Sequence, residues 1–399
     1  MPNVLEGKHV VLGVTGSIAC YKAADLASKL TQQSALVDVV MTEAATRLVS
    51  PLTFRSLTHR PVAVDMFDPE SELSIEHVAL AERADLIVVA PATANVIAKM
   101  AMGLSDDALT ATVLATRAPV IVAPAMDGNM YDNPATRENL DKLSSRGYTI
   151  AGPATGRLAS GLYGPGRLLE TPELLGYARL VLGRSGDLAG RKIVASAGGT
   201  RETIDPVRFI SNRSSGKMGF AVAEAARDRG ATAVLVTGPS ALPAPVGVRV
   251  EKVVSALEMR DRLVEECRDA DALIMAAAVS DWRPAESQAS KVKKVGTQGM
   301  TLQLVQNPDI VADVQGDHLV KVGFAAETED LLVNARSKLM SKGLHLVAAN
   351  DVSADDAGFD GDLNRVILID RDGGAEELGL ITKYEVGHRI LDRVLALMS

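Results

Sequence analysis

Short aliphatic runs at Val10 to Val14, Leu36 to Met41, Leu86 to Ala90 and Val120 to Ala123 each end in Gly, Thr or Pro and lead into a helix-patterned stretch. Runs that stay apolar suit strands buried on both faces, so these read as parallel strands. Between Gly152 and Gly166 the rhythm loosens: seven of fifteen residues are Gly or Pro, and a long irregular loop is expected. Arg184 to Gly190 then punctuate the chain, and a domain boundary is placed there. The strand and helix rhythm restarts at Lys192 to Ala195. It continues at Ala233 to Thr237, Ala272 to Ala277, Val320 to Phe324 and Leu344 to Ala349. Arg365 to Ile369 reads as an antiparallel strand and Thr382 to Met398 as a closing helix. Two doubly wound α/β domains would place their ligands at the carboxyl ends of the strands.

Composition narrows this picture. The 399 residues are 47% hydrophobic but only 3% aromatic, as cores of Val, Ile, Leu, Ala and Met would be. A net charge of −8 argues against nucleic acid or an anionic membrane as the main partner. Two cysteines are too few for a disulfide framework or a thiolate metal site, so the cytoplasm is the expected compartment. Residues 1 to 8 lack a signal-peptide pattern, and no apolar run reaches the ~20 residues of a membrane span.

Polar chemistry concentrates between Ser196 and Gly219. Gly198 and Gly199 would let backbone approach a ligand, while Ser214, Ser215 and Gly216 sit where a helix N-terminus offers N–H groups to a phosphate or carboxylate. Arg201, Arg208, Arg213 and Lys217 place four cations on this stretch, more than a solvated turn requires. Walker A spacing is absent, which excludes a P-loop ATPase.

The first strand-to-helix turn, Gly13-Val-Thr-Gly16-Ser17, suits a phosphate but lacks Gly-x-Gly-x-x-Gly spacing, so a mononucleotide fits better than a dinucleotide. Thr42, and Thr93 with Asn95, follow other strands, where short polar side chains either cap helices or hold ligand oxygens. His77 is the acid/base candidate of this half, because histidine is the side-chain type that most readily exchanges a proton near neutral pH. No His-Glu-x-x-His or Cys-x-x-Cys pattern exists. Asp360, Asp362 and Asn364 begin like a calcium loop, but Arg365 and Arg371 stand where glycine and glutamate belong. That segment reads as a loop, and metal ligands stay unassigned.

Gly16-Ser-Ile-Ala-Cys-Tyr-Lys22, Pro91-Ala-Thr-Ala-Asn-Val-Ile-Ala-Lys99 with Asp106-Asp107, and Pro124-Ala-Met126 resemble the FMN-dependent decarboxylases of cysteine-ended substrates. Ser196 to Gly219, Lys291-Val-Lys-Lys294, Asn307-Pro-Asp-Ile310 and Gly323-Phe-Ala-Ala-Glu-Thr328 resemble the phosphopantothenate–cysteine ligases. In order and length the chain is similar to the bifunctional coenzyme A biosynthesis enzymes. The resemblance implies two Rossmann-like domains. Residues 1–189 would be a flavodoxin-like phosphopantothenoylcysteine decarboxylase, and residues 190–399 a CTP-dependent ligase.

It further implies that CTP, with magnesium as counterion, activates 4′-phosphopantothenate as an acyl-cytidylate for cysteine. FMN would then oxidise the product's thiol to a thioaldehyde, CO2 would leave, and the electrons would return as a protein acid adds a proton, giving 4′-phosphopantetheine. By the same resemblance His77 is the catalytic histidine, and Gly16, Ser17, Thr42, Thr93, Asn95 and Met126 contact the flavin. Lys291 supports acyl transfer, and Asn212 holds the acyl group and stabilises the acyl-cytidylate. CTP would lie on Met275, Ala276, Ala277, Asp281, Lys291, Pro308, Asp309, Ile310, Val311, Phe324, Lys338 and Lys342. Gly198, Gly199, Ser214, Ser215 and Gly216 would form the substrate's anion loop.

Two positions depart from the family. Asp127 replaces its substrate-binding asparagine, and Ser160 replaces the proton-donating cysteine of its flap. An aspartate repels a substrate carboxylate unless protonated or countered by a cation, and a serine hydroxyl is a far weaker acid than a thiol. Either water or Tyr163 serves as donor, or the N-terminal half is impaired or merely binds flavin. A nicotinamide oxidoreductase is the other class of reading, and a bound-cofactor spectrum separates them. A homo-oligomer is expected, with flavin sites between N-terminal domains and paired ligase domains.

Overall fold

The computed structural model describes residues 3–67, 76–293, 300–316, 318–327, 331–351 and 361–398, which divide into two compact units, Asn3–Leu182 and Gly183–Ser399.

In the first unit β1 (His9–Val14), β2 (Leu36–Met41), β3 (Val62–Ala63), β4 (Leu86–Ala92), β5 (Val120–Pro124) and β6 (Thr149–Ile150) form one parallel sheet in the order β3-β2-β1-β4-β5-β6. Successive side chains of a strand point to opposite faces, and both faces here are apolar. Val10, Leu12 and Val14 pack with the Cys20–Gln32 and Thr171–Gly183 helices. Val11 packs with Ala94–Met102, Ala108–Ala115 and Pro134–Ser145 on the other side. β3 and β6 are too short for a sequence run to show them. Strand order reverses between β1 and β4, which opens a crevice at their carboxyl ends.

The segment expected as an irregular loop is instead an antiparallel hairpin, β7 (Ala154–Arg157) and β8 (Tyr163–Arg167). Its glycines do not disorder it, because Gly161 and Gly166 supply the positive φ (87° and 137°) that the turn and the end of the ribbon adopt.

The second unit contains β9 (Lys192–Ala197), β10 (Arg201–Thr203), β11 (Phe209–Ser211), β12 (Thr232–Thr237), β13 (Arg249–Lys252), β14 (Ala272–Met275), β15 (Trp282–Pro284), β16 (Leu304–Gln306), β17 (Val320–Glu327), β18 (Leu346–Asp351), β19 (Leu363–Asp370) and β20 (Ala375–Thr382). Eight of them form one sheet, β13-β12-β9-β14-β17-β18-β19-β20, parallel through β18 and antiparallel beyond. Ile193, Ala195, Leu235 and Ile274 face the Lys217–Asp228 and Lys383–Met398 helices, while Val194, Val234 and Leu273 face Ala256–Glu266. β20 escaped the sequence reading because only Leu378 along it is buried. Two small ribbons, β10–β11 and β15–β16, stand outside the sheet. Arg184 to Gly190 pack into this unit: Leu188 is buried, and Asp187 accepts from Arg229 at 2.8 and 2.7 Å.

Candidate functional site

At the carboxyl ends of β14, β17 and β18 lie two adjoining cavities of about 220 and 500 Å³, both lined by Ala277, Val279, Asp281, Phe324 and Lys338. The smaller takes in Met275, Pro308, Asp309, Ile310, Val311 and Lys342. All the residues expected at CTP therefore line it except Ala276, which lines the larger cavity, and Lys291, which lines neither. Local chemistry explains the convergence. The buried Ser196 hydroxyl accepts from Ala277 N–H at 3.0 Å and so fixes the end of β14. Asn307 donates to Ser280 O at 2.8 Å, and Asp309 caps the Ile310–Asp313 turn. Lys338 Nζ donates to Phe324 O at 2.7 Å, and Lys342 pairs with Asp309 at 3.3 Å. Lys342 lies just past the Leu331–Ser341 helix, its N–H still bonded to Lys338 O.

Asn212, Ser214, Ser215 and Gly216 line the larger cavity. Asn212 Nδ2 donates to Val279 O at 3.0 Å, which orients its amide. The Lys217–Asp228 helix starts at Gly216 (φ 82°) without a side-chain cap, so its first turn presents an anion cradle. Asn350, Asn364 and Lys383 complete the wall and were not singled out as ligand residues. Asn364 belongs to β19, not to a loop, and Asp362 pairs with Lys217 at 2.7 Å. A polar residue buried at a strand end was the available signal, since Asn364 is 2% exposed.

Gly198 and Gly199 line neither of these cavities. A Cβ on Gly199 would stand 2.7 Å from Asn212 O, so this glycine admits neighbouring backbone where a ligand was expected. Gly199→Ala is expected to displace the Asn212 segment and cost about 1–3 kcal/mol, read as a lower melting temperature. An unchanged melting curve would show that the contact relaxes freely.

Of the four cations only Arg213 and Lys217 reach the larger cavity. Arg201 lies over the Phe209 ring at 4.6 Å, and Arg208 grips the buried Asp205 at 2.9 and 2.6 Å. Burial pushes the Asp205 carboxyl up, but Arg208 and the N–H groups of Val207, Val292 and Arg208 pull it further down, well below the usual carboxylate range. Such a group stabilises the fold above its unfolded value, about 4, and loses that effect as pH falls through the depressed one. Asp205→Asn should therefore lower the melting temperature at pH 7 and flatten its decline below about pH 4. Lys291 sits exposed next to Val292, whose N–H donates to Asp205, while Lys294, Thr328 and Asp360 lie outside the described residues.

In the first unit Thr42 Oγ1 accepts from Ala45 N–H at 3.3 Å and Thr93 Oγ1 from Val96 N–H at 3.4 Å, so both cap helices and keep a hydroxyl proton to donate. Thr15 Oγ1 ties β1 to β4 by donating to Pro91 O at 2.7 Å and accepting from Thr93 N–H at 3.1 Å. A Cβ on Gly16 would stand 2.6 Å from Ala44 Cβ. Nearby, a cavity of about 590 Å³ is lined by Ser17, Met126, Asp127 and Ser160, with Lys22, Arg157 and Arg167. Thr42, Thr93, Asn95 and His77 do not line it. His77 is half-buried near the start of the Glu76–Arg83 helix.

The two departing positions touch each other. Ser160 Oγ donates to Asp127 Oδ2 at 2.6 Å, and Asp127 Oδ1 accepts from Asn129 N–H at 3.0 Å. These bonds, Ser160's first, hold the Asp127 carboxyl below its usual range. With its proton aimed at a carboxylate, Ser160 is poorly placed to act as an acid. Among the described residues no group of three His, Cys, Asp or Glu side chains could hold a metal ion.

The Flavoprotein family model matches residues 2–179, and that of the DNA/pantothenate metabolism flavoprotein C-terminal domain matches 188–398. The chain is 46% identical over 401 residues to the coenzyme A biosynthesis bifunctional protein CoaBC of Vibrio vulnificus, covering 100% of both. It belongs to this CoaBC family. The Bacillus subtilis CoaBC is 45% identical over 399 residues, with 99% of this chain and 98% of that one covered. A solved C-terminal domain of a CoaBC protein aligns with 53% of this chain and 97% of its own, at 36% identity and a TM-score of 0.46.

Proposed function

We propose that the C-terminal cleft uses CTP to join 4′-phosphopantothenate to cysteine, and that the N-terminal cavity decarboxylates the product to 4′-phosphopantetheine. As a member of its family the chain is a bifunctional enzyme of coenzyme A biosynthesis, with ligase and decarboxylase activities. We assign the first compact unit to the decarboxylase and the second, into which Arg184 to Gly190 pack, to the ligase. The convergence of dispersed segments, around positions 275, 308, 324 and 340, on the smaller cavity carries the ligase reading.

In the ligase a carboxylate oxygen of the acid attacks the α-phosphorus of CTP. The bond to the β-phosphate breaks, pyrophosphate leaves, and the acyl-cytidylate remains. Cysteine's amine then attacks the acyl carbon and CMP departs with the electron pair. Lys338, Lys342 and the uncapped helix start balance phosphate charge, and Asn212 donates to the oxygen that gains charge. Magnesium, when bound, would neutralise the phosphates, and among the described residues no group of three His, Cys, Asp or Glu side chains marks a place for it.

The hydroxyls of Thr42 and Thr93 and the tight turn at Gly16 and Ser17 fit FMN at the carboxyl ends of β1, β2 and β4, with Asn95 and Met126 beside them. FMN, when bound, supplies the reversible two-electron acceptor that loss of CO2 from a cysteine carboxylate otherwise lacks. His77 exchanges protons with the substrate. Because it does not line its own chain's cavity, a homo-oligomer in which N-terminal domains complete each other's sites is the arrangement we favour. Ile18 and Tyr21, 70% and 64% exposed beside the cavity, offer apolar surface for it. We place the enzyme in the cytoplasm, in keeping with two free buried cysteines. Among the described residues no helix is long and apolar enough to cross a membrane.

The test is one pot: 4′-phosphopantothenate, cysteine and CTP with the flavin-loaded chain, product masses followed over time. Pyrophosphate and 4′-phosphopantothenoylcysteine should appear first and 4′-phosphopantetheine second. Absence of pyrophosphate would end the ligase reading. A second reading, an N-terminal half impaired in the final reduction, is favoured by the Ser160–Asp127 bond, and accumulation of the oxidised, decarboxylated product without 4′-phosphopantetheine would support it.

A further inference from the structure

The charged side chains facing the N-terminal cavity are not equivalent. Lys22 is 11% exposed and committed: its ammonium donates to Glu170 at 2.7 Å and to Leu168 O at 3.2 Å. Arg167 reaches the same Glu170 at 3.3 Å. Asp127 is ionised, with one oxygen held by Ser160 and the other by the backbone of Asn129. It can donate nothing to a bound carboxylate and repels one. The remaining charge is Arg157, whose guanidinium has neither an ion pair nor a hydrogen bond among the described residues. It is the last residue of β7, opposite Tyr163, three positions before Ser160 on the turn that the bond to Asp127 fastens.

We propose that Arg157 binds the carboxylate of the decarboxylase substrate, offsetting the Asp127 charge that faces the same cavity. The inference rests on the decarboxylase reading. A guanidinium presents parallel N–H donors that match a carboxylate in two bonds, and it stays charged at any pH the enzyme meets. Asp127 then serves the hairpin: Ser160 occupies one of its oxygens and keeps the turn carrying Arg157 beside the cavity. The two family departures thereby form one rearrangement, in which the contact to substrate moves from position 127 to position 157.

The test is calorimetry on the flavin-loaded full chain with thiol-blocked probes that cannot turn over. These are 4′-phosphopantothenoyl-S-methylcysteine, pantothenoyl-S-methylcysteine, which lacks the phosphate, and S-methyl-4′-phosphopantetheine, which lacks the carboxylate. Arg157→Gln should weaken the two carboxylate probes about ten- to a hundredfold and leave the third within about twofold, with Arg157→Lys in between. Equal weakening of all three, weakening that follows the phosphate, or no change overturns the proposal. If the unaltered chain binds none of the probes, the decarboxylase reading falls and takes this inference with it.

Discussion

Asn212→Asp is expected to slow pyrophosphate release from CTP and 4′-phosphopantothenate about 10²–10³-fold, the usual effect of removing one donor from a developing oxyanion. Asn212 Nδ2 donates to Val279 O at 3.0 Å in the larger cavity, so the side chain is already oriented. Aspartate has the same shape but only accepts. It loses the bond to Val279 and sets a negative charge where the acid's oxygens and the α-phosphate meet. CTP itself should bind within a few-fold, because Lys342 and the Asp309 cap line only the neighbouring cavity, which Asn212 does not line. Pyrophosphate release and equilibrium CTP binding, measured on one preparation with an unchanged melting curve, separate the two effects. A full rate of release would remove Asn212 from the chemistry.

The parallel strands were legible because burial on both faces leaves an unbroken aliphatic run, as in Val10 to Val14 and Val120 to Ala123. What the pattern hid has little interior to write with. β20 buries one residue, β3 and β6 span two residues each, and the β7–β8 hairpin is mostly exposed and glycine-rich. The site divides in the same way. Residues at strand ends, such as Met275, Asp281 and Phe324, meet wherever a doubly wound sheet forms, and they meet here. Pairing was invisible: only folding shows that Arg208 is spent on Asp205, that Gly199 yields to Asn212, and that Ser160 touches Asp127. Charge in a sequence reports supply, whereas partner geometry decides which charges remain for a ligand.

His77→Asn is expected to lower decarboxylation about 10²–10⁴-fold, the range that a positioned acid/base group contributes, and to leave ligation unchanged. Asparagine keeps a hydrogen-bonding side chain of similar reach but cannot gain or lose a proton near neutral pH. His77 is half-buried early in the Glu76–Arg83 helix, which packs against Ala108–Ala115 through its apolar residues, so the exchange should not disturb that packing or the melting temperature. The ligase cleft belongs to the other compact unit and contains none of these residues. Mass spectrometry should then find 4′-phosphopantothenoylcysteine building up at the normal rate while 4′-phosphopantetheine stays near zero. Unimpaired formation of 4′-phosphopantetheine would take His77 out of the chemistry, and with it the argument that a second copy of the chain must complete the N-terminal site.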